Sequence, residues 1–124
     1  MKTIAIVLTL FVALEHLYFL ILEMFLWATP KGIKTFGLKS KKFAEETKVL
    51  AANQGLYNGF LSAGLIYGVI QNEINTIIFF LICVTIAGIY GSYSTKKIRL
   101  FYVQGVPAML ALIFVIITNN IYNS

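Results

Sequence analysis

Charged residues, cysteine and histidine are all scarce in this chain of 124 residues. Lys, Arg, Asp and Glu together make up 12% of it, against about 25% in soluble globular domains. The one cysteine, Cys83, excludes an intrachain disulfide and carries no redox information. With a single histidine, His16, and no CxxC or HExxH motif, the chain offers too few ligands for a metal ion, so no metal site is expected.

Hydrophobic sequence takes the place of charge, at 59% of the residues and a mean hydropathy of +0.83. Four segments reach the roughly 20 residues that cross a hydrocarbon core about 30 Å thick. We predict helices over residues 4–29, 41–70, 76–94 and 98–118. The ionisable residues of the first segment argue against a cleaved secretory signal. The expected fold is all-α, a single four-helix transmembrane bundle over residues 1–124, surrounded by the lipids of the cell membrane.

Basic residues are unevenly distributed along the chain. Nine of the ten lie in or beside two loops between hydrophobic segments, and Lys2 is the exception. By the positive-inside rule, loops 30–48 and 95–98 face the cytoplasm and both termini are extracytoplasmic. Because these residues explain the net charge of +5, nucleic-acid binding is not expected. A role in gripping anionic lipid or an anionic substrate is the alternative to plain orientation.

Local signals set the helix ends. Thr29 and Pro30 are expected to end the first helix. Ser40 is a candidate N-cap for the second, and Glu45 can pair with Lys48 three residues later. The second predicted helix therefore begins before its hydrophobic part.

Polar side chains recur inside the hydrophobic segments, where an ionisable group costs at least about 2.5 kcal/mol and is usually kept for a function. At about 100° per residue, the ionisable groups of the first helix share one side, and the carboxamides and Tyr57 of the second helix form one polar arc. Depth in the bilayer brings a glutamine of the fourth helix level with them. We predict that eight residues line one cytoplasm-facing intramembrane pocket: Glu15, His16, Glu23, Asn53, Gln54, Tyr57, Asn58 and Gln104.

Three interpretations of this pocket remain open. It binds or moves a small molecule, an ion or a lipid-like metabolite, with Glu15, His16 and Glu23 as titrating groups. Alternatively, His16 or a Glu performs acid–base chemistry in a membrane enzyme. In the third, the polar groups form hydrogen bonds of about 0.6–2 kcal/mol in a non-catalytic assembly or scaffold subunit. The sequence identifies neither a catalytic residue nor a cofactor.

Small residues recur at every fourth position of the second predicted helix. Gly55, Gly59 and Ala63 lie on one side of it, apart from the polar arc. Such a ridge lets a neighbouring helix approach closely, within the same chain or in another copy. We predict a homo-oligomer formed through these three residues.

Three segments, EHLYFLILEMFLWATPKGIKTFGL, NQGLYNGFLSAGL and VQGVPAMLAL, resemble the small bacterial integral-membrane family catalogued as domain of unknown function 1304. The resemblance covers nearly the whole chain. It implies a four-helix membrane protein and brings no activity, ligand or catalytic residue with it.

The expected architecture is also similar to that of the membrane-associated eicosanoid and glutathione metabolism proteins, which are trimeric enzymes that use glutathione. The similarity consists of the outward termini, the basic first loop and a second helix that carries Asn and Gln. Where those proteins show Glu-Arg and His-x-Asn, this chain has AANQGLYNG. That departure argues against glutathione binding and leaves an analogy of fold.

Overall fold

A computed structural model describes the backbone of residues 2–123 and the side chains of residues 2–120. In chain order the helices are α1 (Lys2–Phe25), α2 (Pro30–Phe36), α3 (Lys41–Ile70), α4 (Ile74–Thr95), α5 (Ile98–Leu100) and α6 (Val106–Asn123). A π-helical turn, Phe101–Gly105, joins α5 to α6. The described residues form no β-strand, and the prediction of an all-α fold is confirmed.

Three helical stretches within the described residues are long and apolar enough to cross a membrane, namely Lys2–Phe25, Ile74–Thr95 and Ile98–Asn120. Their mean hydropathies lie between 2.1 and 2.3. Helix α3 has 30 residues, about 45 Å of length, but charged and carboxamide side chains fill much of its first two thirds. The fourth predicted span therefore stays a prediction.

The end of α1 differs from the sequence expectation. Helix α1 ends at Phe25, and Thr29 is the N-cap of a separate helix, α2. The Thr29 side chain accepts a hydrogen bond from the backbone N–H of Gly32 at 3.3 Å. Pro30 occupies the first turn of α2, where its missing N–H leaves no intrahelical bond unmade. Thr29 and Pro30 are thus a start signal, which the sequence analysis assigned to the end of a helix.

The expected start of α3 is confirmed. Ser40 Oγ accepts a hydrogen bond from the backbone N–H of Phe43 at 3.0 Å. Lys48 Nζ lies 3.4 Å from Glu45 Oε2, with both side chains largely exposed. An exposed pair of this kind contributes well under about 1 kcal/mol, so the cap contributes more to where the helix begins.

The chain divides into two compact units. The first consists of Met1–Leu14 and Leu61–Ser124, and the second of Glu15–Phe60. The core of the first unit draws on α1, α3, α4 and α6, through Ala5, Val12, Ala13, Leu65, Ile77, Leu81, Val84, Ala108, Ala111 and Val115. The many alanines in this set let the helices approach closely, because a methyl group keeps two backbones nearer than a leucine does.

Helix α4 is apolar on its outer face as well as its inner face. Leu81 and Val84 are completely buried, whereas Phe79, Ile86 and Tyr90 are more than half exposed. A helix in water normally presents polar residues on its exposed side, and a helix that is apolar all round is typical of a hydrocarbon environment. The exposed face of α4 is therefore suited to lipid.

Within the first unit, α4 and the π-helical turn meet at two glycines. A Cβ atom added to Gly88 would lie 2.7 Å from the backbone nitrogen of Gly105 and 2.8 Å from its Cα. In a regular α-helix the ring of Pro107 would clash with the carbonyl of Val103. The N–H of Val106 bonds to the carbonyl of Phe101, five residues back, and this wider turn relieves the crowding.

We expect Gly88→Ala to lower the thermal stability of the protein, because backbone atoms of Gly105 cannot move aside as a flexible side chain can. Overpacking of this kind costs about 1–3 kcal/mol. Gly91→Ala is the matched control on the same helix, since a Cβ atom there meets nothing within 4 Å and gains up to about 1 kcal/mol of helix propensity. Thermal unfolding of both purified variants in one detergent measures the difference. Equal melting temperatures would contradict the close contact.

Candidate functional site

A buried hydrogen bond joins two of the predicted site residues within the second unit. Asn58 Nδ2 donates to Glu23 Oε1 at 2.5 Å. The two side chains are 6% and 7% exposed. A buried carboxyl or carboxamide without a partner costs about 1–3 kcal/mol or more. The bond reduces this cost for both groups, because each is the hydrogen-bond partner of the other. The bond links the C-terminal half of α1 to α3.

Two glycines of α3 let it approach α1 closely enough for this bond. A Cβ atom on Gly55 would lie 2.7 Å from Met24 Cγ and 3.1 Å from Glu23 Cβ, and one on Gly59 would lie 2.6 Å from Leu20 Cδ1. The ridge predicted from the sequence therefore does pack against a helix at close range, and that helix is α1 of the same chain.

This contact within the chain concerns two of the three residues through which a homo-oligomer was predicted. Gly55 and Gly59 contact α1. Ala63, the third residue of the ridge, belongs to the first unit and is exposed. The homo-oligomer formed through these three residues stays a prediction.

An open groove of about 620 Å³ lies beside Glu23, formed entirely by residues of the second unit. Apolar side chains from the end of α1 and from α3 supply part of its wall, among them Met24, Val49 and Leu56. Its polar lining consists of Glu23, Thr29, Lys41, Glu45, Lys48 and Asn53. The groove thus offers both a hydrocarbon surface and charged groups of both signs.

Trp27 holds one wall of the groove in place. Its Nε1 donates a hydrogen bond to Thr47 Oγ1 at 3.0 Å, and its ring lies 4.9 Å from that of Phe36 between centroids. Thr47 Oγ1 in turn donates to the carbonyl of Phe43 at 2.7 Å. Trp27 therefore ties the end of α1 to α2 and α3. Sequence reasoning missed it, although a single Trp at the end of a long apolar run is the residue expected at a membrane interface.

His16 and Glu15 are placed differently from Glu23. His16 is completely buried, and its ring meets that of Phe19 edge to face at 5.4 Å. Glu15 is half-buried, and its Oε1 atom is shielded from solvent with no hydrogen-bond partner among the described residues. A shielded carboxyl oxygen without a donor is a costly feature, and the role of Glu15 as a titrating group of the site stays a prediction.

The polar arc of α3 is only partly turned toward α1. Asn58 is buried, whereas Asn53, Gln54 and Tyr57 are exposed. Asn53 lines the groove and donates to the carbonyl of Val49 in its own helix at 3.0 Å. At about 100° per residue, Asn58 lies about 60° from Gly55, but Asn53 and Tyr57 lie about 160° away. The close contact at Gly55 therefore fixes the rotation of α3 and turns these two residues outward.

Gln104, the remaining predicted site residue, lies in the π-helical turn of the first unit and is half-buried. Over the described part of the chain, no three His, Cys, Asp or Glu side chains come close enough to hold a metal ion.

The apolar helices and the groove together define the class of protein. It is a small α-helical chain with helices long and apolar enough to cross a membrane, and its groove has both apolar and charged walls. The family described as Protein of unknown function (DUF1304) matches residues 10–116. The chain is also 32% identical, over 116 residues, to the Uncharacterized protein YpaA of Lactococcus lactis subsp. lactis (strain IL1403), an alignment that covers 91% of this chain and 97% of that protein. No solved structure matches the chain. The chain belongs to the DUF1304 family, and the resemblance noted in its sequence is confirmed.

We expect Gly59→Leu to destabilise the protein strongly, because the new side chain would occupy the position of Leu20 and overpacking costs about 1–3 kcal/mol or more. Ala63→Leu is the control, one helical turn further along α3 at an exposed position. Thermal stability and elution volume in detergent are measured for both. A loss of stability or a change of elution volume confined to Ala63→Leu would show that the ridge serves an interface between copies.

Proposed function

We propose that this protein is a multi-pass cell-membrane protein with four spans, and that its groove faces the cytoplasm and binds a small lipid-like amphiphile. The observation that carries the proposal is the buried carboxyl of Glu23, which is held by Asn58 and lines an open groove. Groups of this kind in apolar surroundings are costly and usually belong to a site.

The lining of the groove supports a zwitterionic ligand with a hydrocarbon part. Met24, Val49 and Leu56 offer apolar surface, which favours burial of a chain by about 25 cal/mol per Å². Glu23 offers a carboxyl for an ammonium group, and Lys41 and Lys48 offer ammonium groups for an anion. An amphiphile that carries both charges matches all three features.

The short connection between α3 and α4 supports α3 as the fourth span. Only residues 71–73 separate the two helices, and so short a link makes consecutive helices antiparallel neighbours. Within the first unit, Leu65 of α3 shares a core with Ile77 and Leu81 of α4. If α4 crosses the bilayer, the C-terminal part of α3 has to run back alongside it.

The distribution of basic residues supports a cytoplasmic position for the groove. Nine of the ten lie in or beside loops 30–48 and 95–98, and such loops stay in the cytoplasm. Lys41 and Lys48, which line the groove, belong to the first of these clusters. A ligand would therefore enter from the cytoplasmic side.

The four-span topology predicts that residues 39 and 71 lie on opposite sides of the membrane. We expect Lys39→Cys, in a Cys83→Ala background, to react with an impermeant thiol reagent only after the cells are permeabilised. Gln71→Cys should react in intact cells. Both positions are exposed in the structure. Reaction of both, or of neither, in intact cells would mean that α3 does not span, and reversed reactivity would mean that the orientation is wrong.

If the ligand is a zwitterionic amphiphile, removing the charge of Glu23 should weaken its binding. Glu23→Gln keeps an oxygen that can accept the hydrogen bond from Asn58, so thermal stability should change little. We expect lysophosphatidylethanolamine to bind about tenfold more weakly to this variant, a loss of about 1.4 kcal/mol, because its ammonium group loses the carboxylate. Native mass spectrometry of the detergent-purified protein measures both binding and its loss.

Glu73→Gln is the control, since Glu73 is exposed in the turn before α4. Lysophosphatidylglycerol, which lacks the ammonium group, is the matched probe and should bind the wild type and Glu23→Gln equally. Equal binding of both lipids to all three proteins would contradict the proposal. It would favour the interpretation in which the bond between Glu23 and Asn58 only holds two helices together.

A further inference from the structure

A second cavity, of about 210 Å³, lies in the first unit and involves none of the residues of the groove. The start of α1, the end of α3, the start of α4 and the end of α6 all contribute to its lining. At about 30 Å³ per water molecule, its volume corresponds to about seven waters. That is enough room for a small organic molecule of a few carbon atoms.

A buried hydroxyl group in this cavity is without a partner. Thr118 lines the cavity and is only 6% exposed, yet its Oγ1 atom has no hydrogen-bond partner among the described residues. Thr9, which also lines the cavity, is completely buried, and its Oγ1 donates to the carbonyl of Ala5 at 2.8 Å. The Thr9 hydroxyl is thus satisfied as a donor, whereas that of Thr118 lacks the bond that a buried hydroxyl normally makes.

The charges around the cavity favour an anion. Lys2 is the one charged side chain among the described residues that line it. Ile74, the first residue of α4, lines it too, and no side chain hydrogen bond caps the N-terminus of this 22-residue helix. The N-terminal end of a helix carries a partial positive charge. Both features attract a negative group.

Much of the remaining wall is apolar, formed by Ala5, Val69, Ile77 and Val115, while Asn72 and Asn119 add two carboxamide groups to the lining. A simple inorganic anion would leave these apolar side chains in contact with water. A small molecule with an anionic head and a short hydrocarbon tail would meet both kinds of wall. We propose that the cavity binds a short-chain carboxylate, whose head group accepts a hydrogen bond from Thr118 and faces Lys2.

Hexanoate is the probe, with hexanol and hexylamine as matched molecules that lack the negative charge. Thermal unfolding of the purified full chain in detergent is followed with each compound, and ligand-observed NMR gives the dissociation constants. We expect hexanoate to raise the melting temperature of the wild type more than either matched compound does. Thr118→Val, which has the same shape without the hydroxyl, should bind hexanoate about tenfold more weakly.

Thr118→Val has a second expected effect. Because it replaces a buried hydroxyl that has no partner by a methyl group, the variant without ligand should melt at the same temperature as the wild type or higher. Thr85→Val is the control, since Thr85 Oγ1 donates within its own helix to the carbonyl of Leu81. Thr85→Val should keep the affinity for hexanoate. Lys2→Gln should bind hexanoate and hexanol with similar affinity.

Three results would overturn the proposal. Equal protection of the wild type and Thr118→Val would show that hexanoate acts on the detergent. Equal protection by hexanoate, hexanol and hexylamine, or no protection by any of them, would mean that the cavity holds only water or lipid tails. A lower melting temperature for Thr118→Val without ligand would show that the hydroxyl already has a partner. If Thr118→Val does not fold, Lys2→Gln provides the test: a variant that still prefers hexanoate to hexanol would contradict the proposal.

Discussion

The closeness of α1 and α3 at Gly55 is the constraint on which the second unit depends. With no side chain at this position, the backbone of α3 lies against Glu23 and Met24, and Asn58 comes within hydrogen-bonding distance of the carboxyl group. A larger residue would separate the helices by several tenths of an ångström or more. The carboxamide and the carboxyl would then be buried without each other, at a cost of about 1–3 kcal/mol for each group. The contact between α1 and α3 at Gly55 and the hydrogen bond between Glu23 and Asn58 therefore depend on each other.

Most polar groups inside the two units are satisfied by protein atoms, as an environment without water requires. Thr9 and Ser62, for example, donate to backbone carbonyls of α1 at 2.8 Å each. Against this background, the carboxyl oxygen of Glu15 and the hydroxyl of Thr118 are exceptions among the described residues. A helix made only to pack would place an apolar group at such positions. The hydroxyl of Thr118 supports the ligand proposed for the cavity that it lines, whereas Glu15 lines neither that cavity nor the groove.

The sequence predicted the helices well and their rotation poorly. Apolar runs define where α1, α4, α6 and the C-terminal part of α3 lie, and the polar faces of the first two predicted helices placed Glu23 and Asn58 in one pocket. Depth in the bilayer did not pair them, because Asn58 was expected nearer the midplane than Glu23. From the sequence, the small-residue ridge and the polar arc were expected to be two separate surfaces. In the structure Gly55 and Gly59 of the ridge face α1, so Asn53 and Tyr57 are turned away from it. Composition alone cannot give this rotation, because both sides of α3 carry residues that are suited to a contact. The bond from Trp27 to Thr47 was missed for a similar reason: it joins the turn after α1 to α3, 20 positions further along the chain, and hydrophobic periodicity does not predict the path of the chain between them.

The carboxyl group of Glu23 bears on whether its bond to Asn58 belongs to a binding site or only holds two helices together. If α1 and α3 needed only a hydrogen bond, Gln at this position would accept one from Asn58 without bringing an ionisable group into apolar surroundings. Glu adds a cost of at least about 2.5 kcal/mol when it lies in hydrocarbon, and the bond to Asn58 returns only part of it, on the order of 1 kcal/mol. This difference supports the proposed site, because a carboxyl group can do what a carboxamide cannot. A carboxyl group can pair with a cation, and it can hold and release a proton. Because Glu23 lines the open groove, both a cation and a proton can reach it from there.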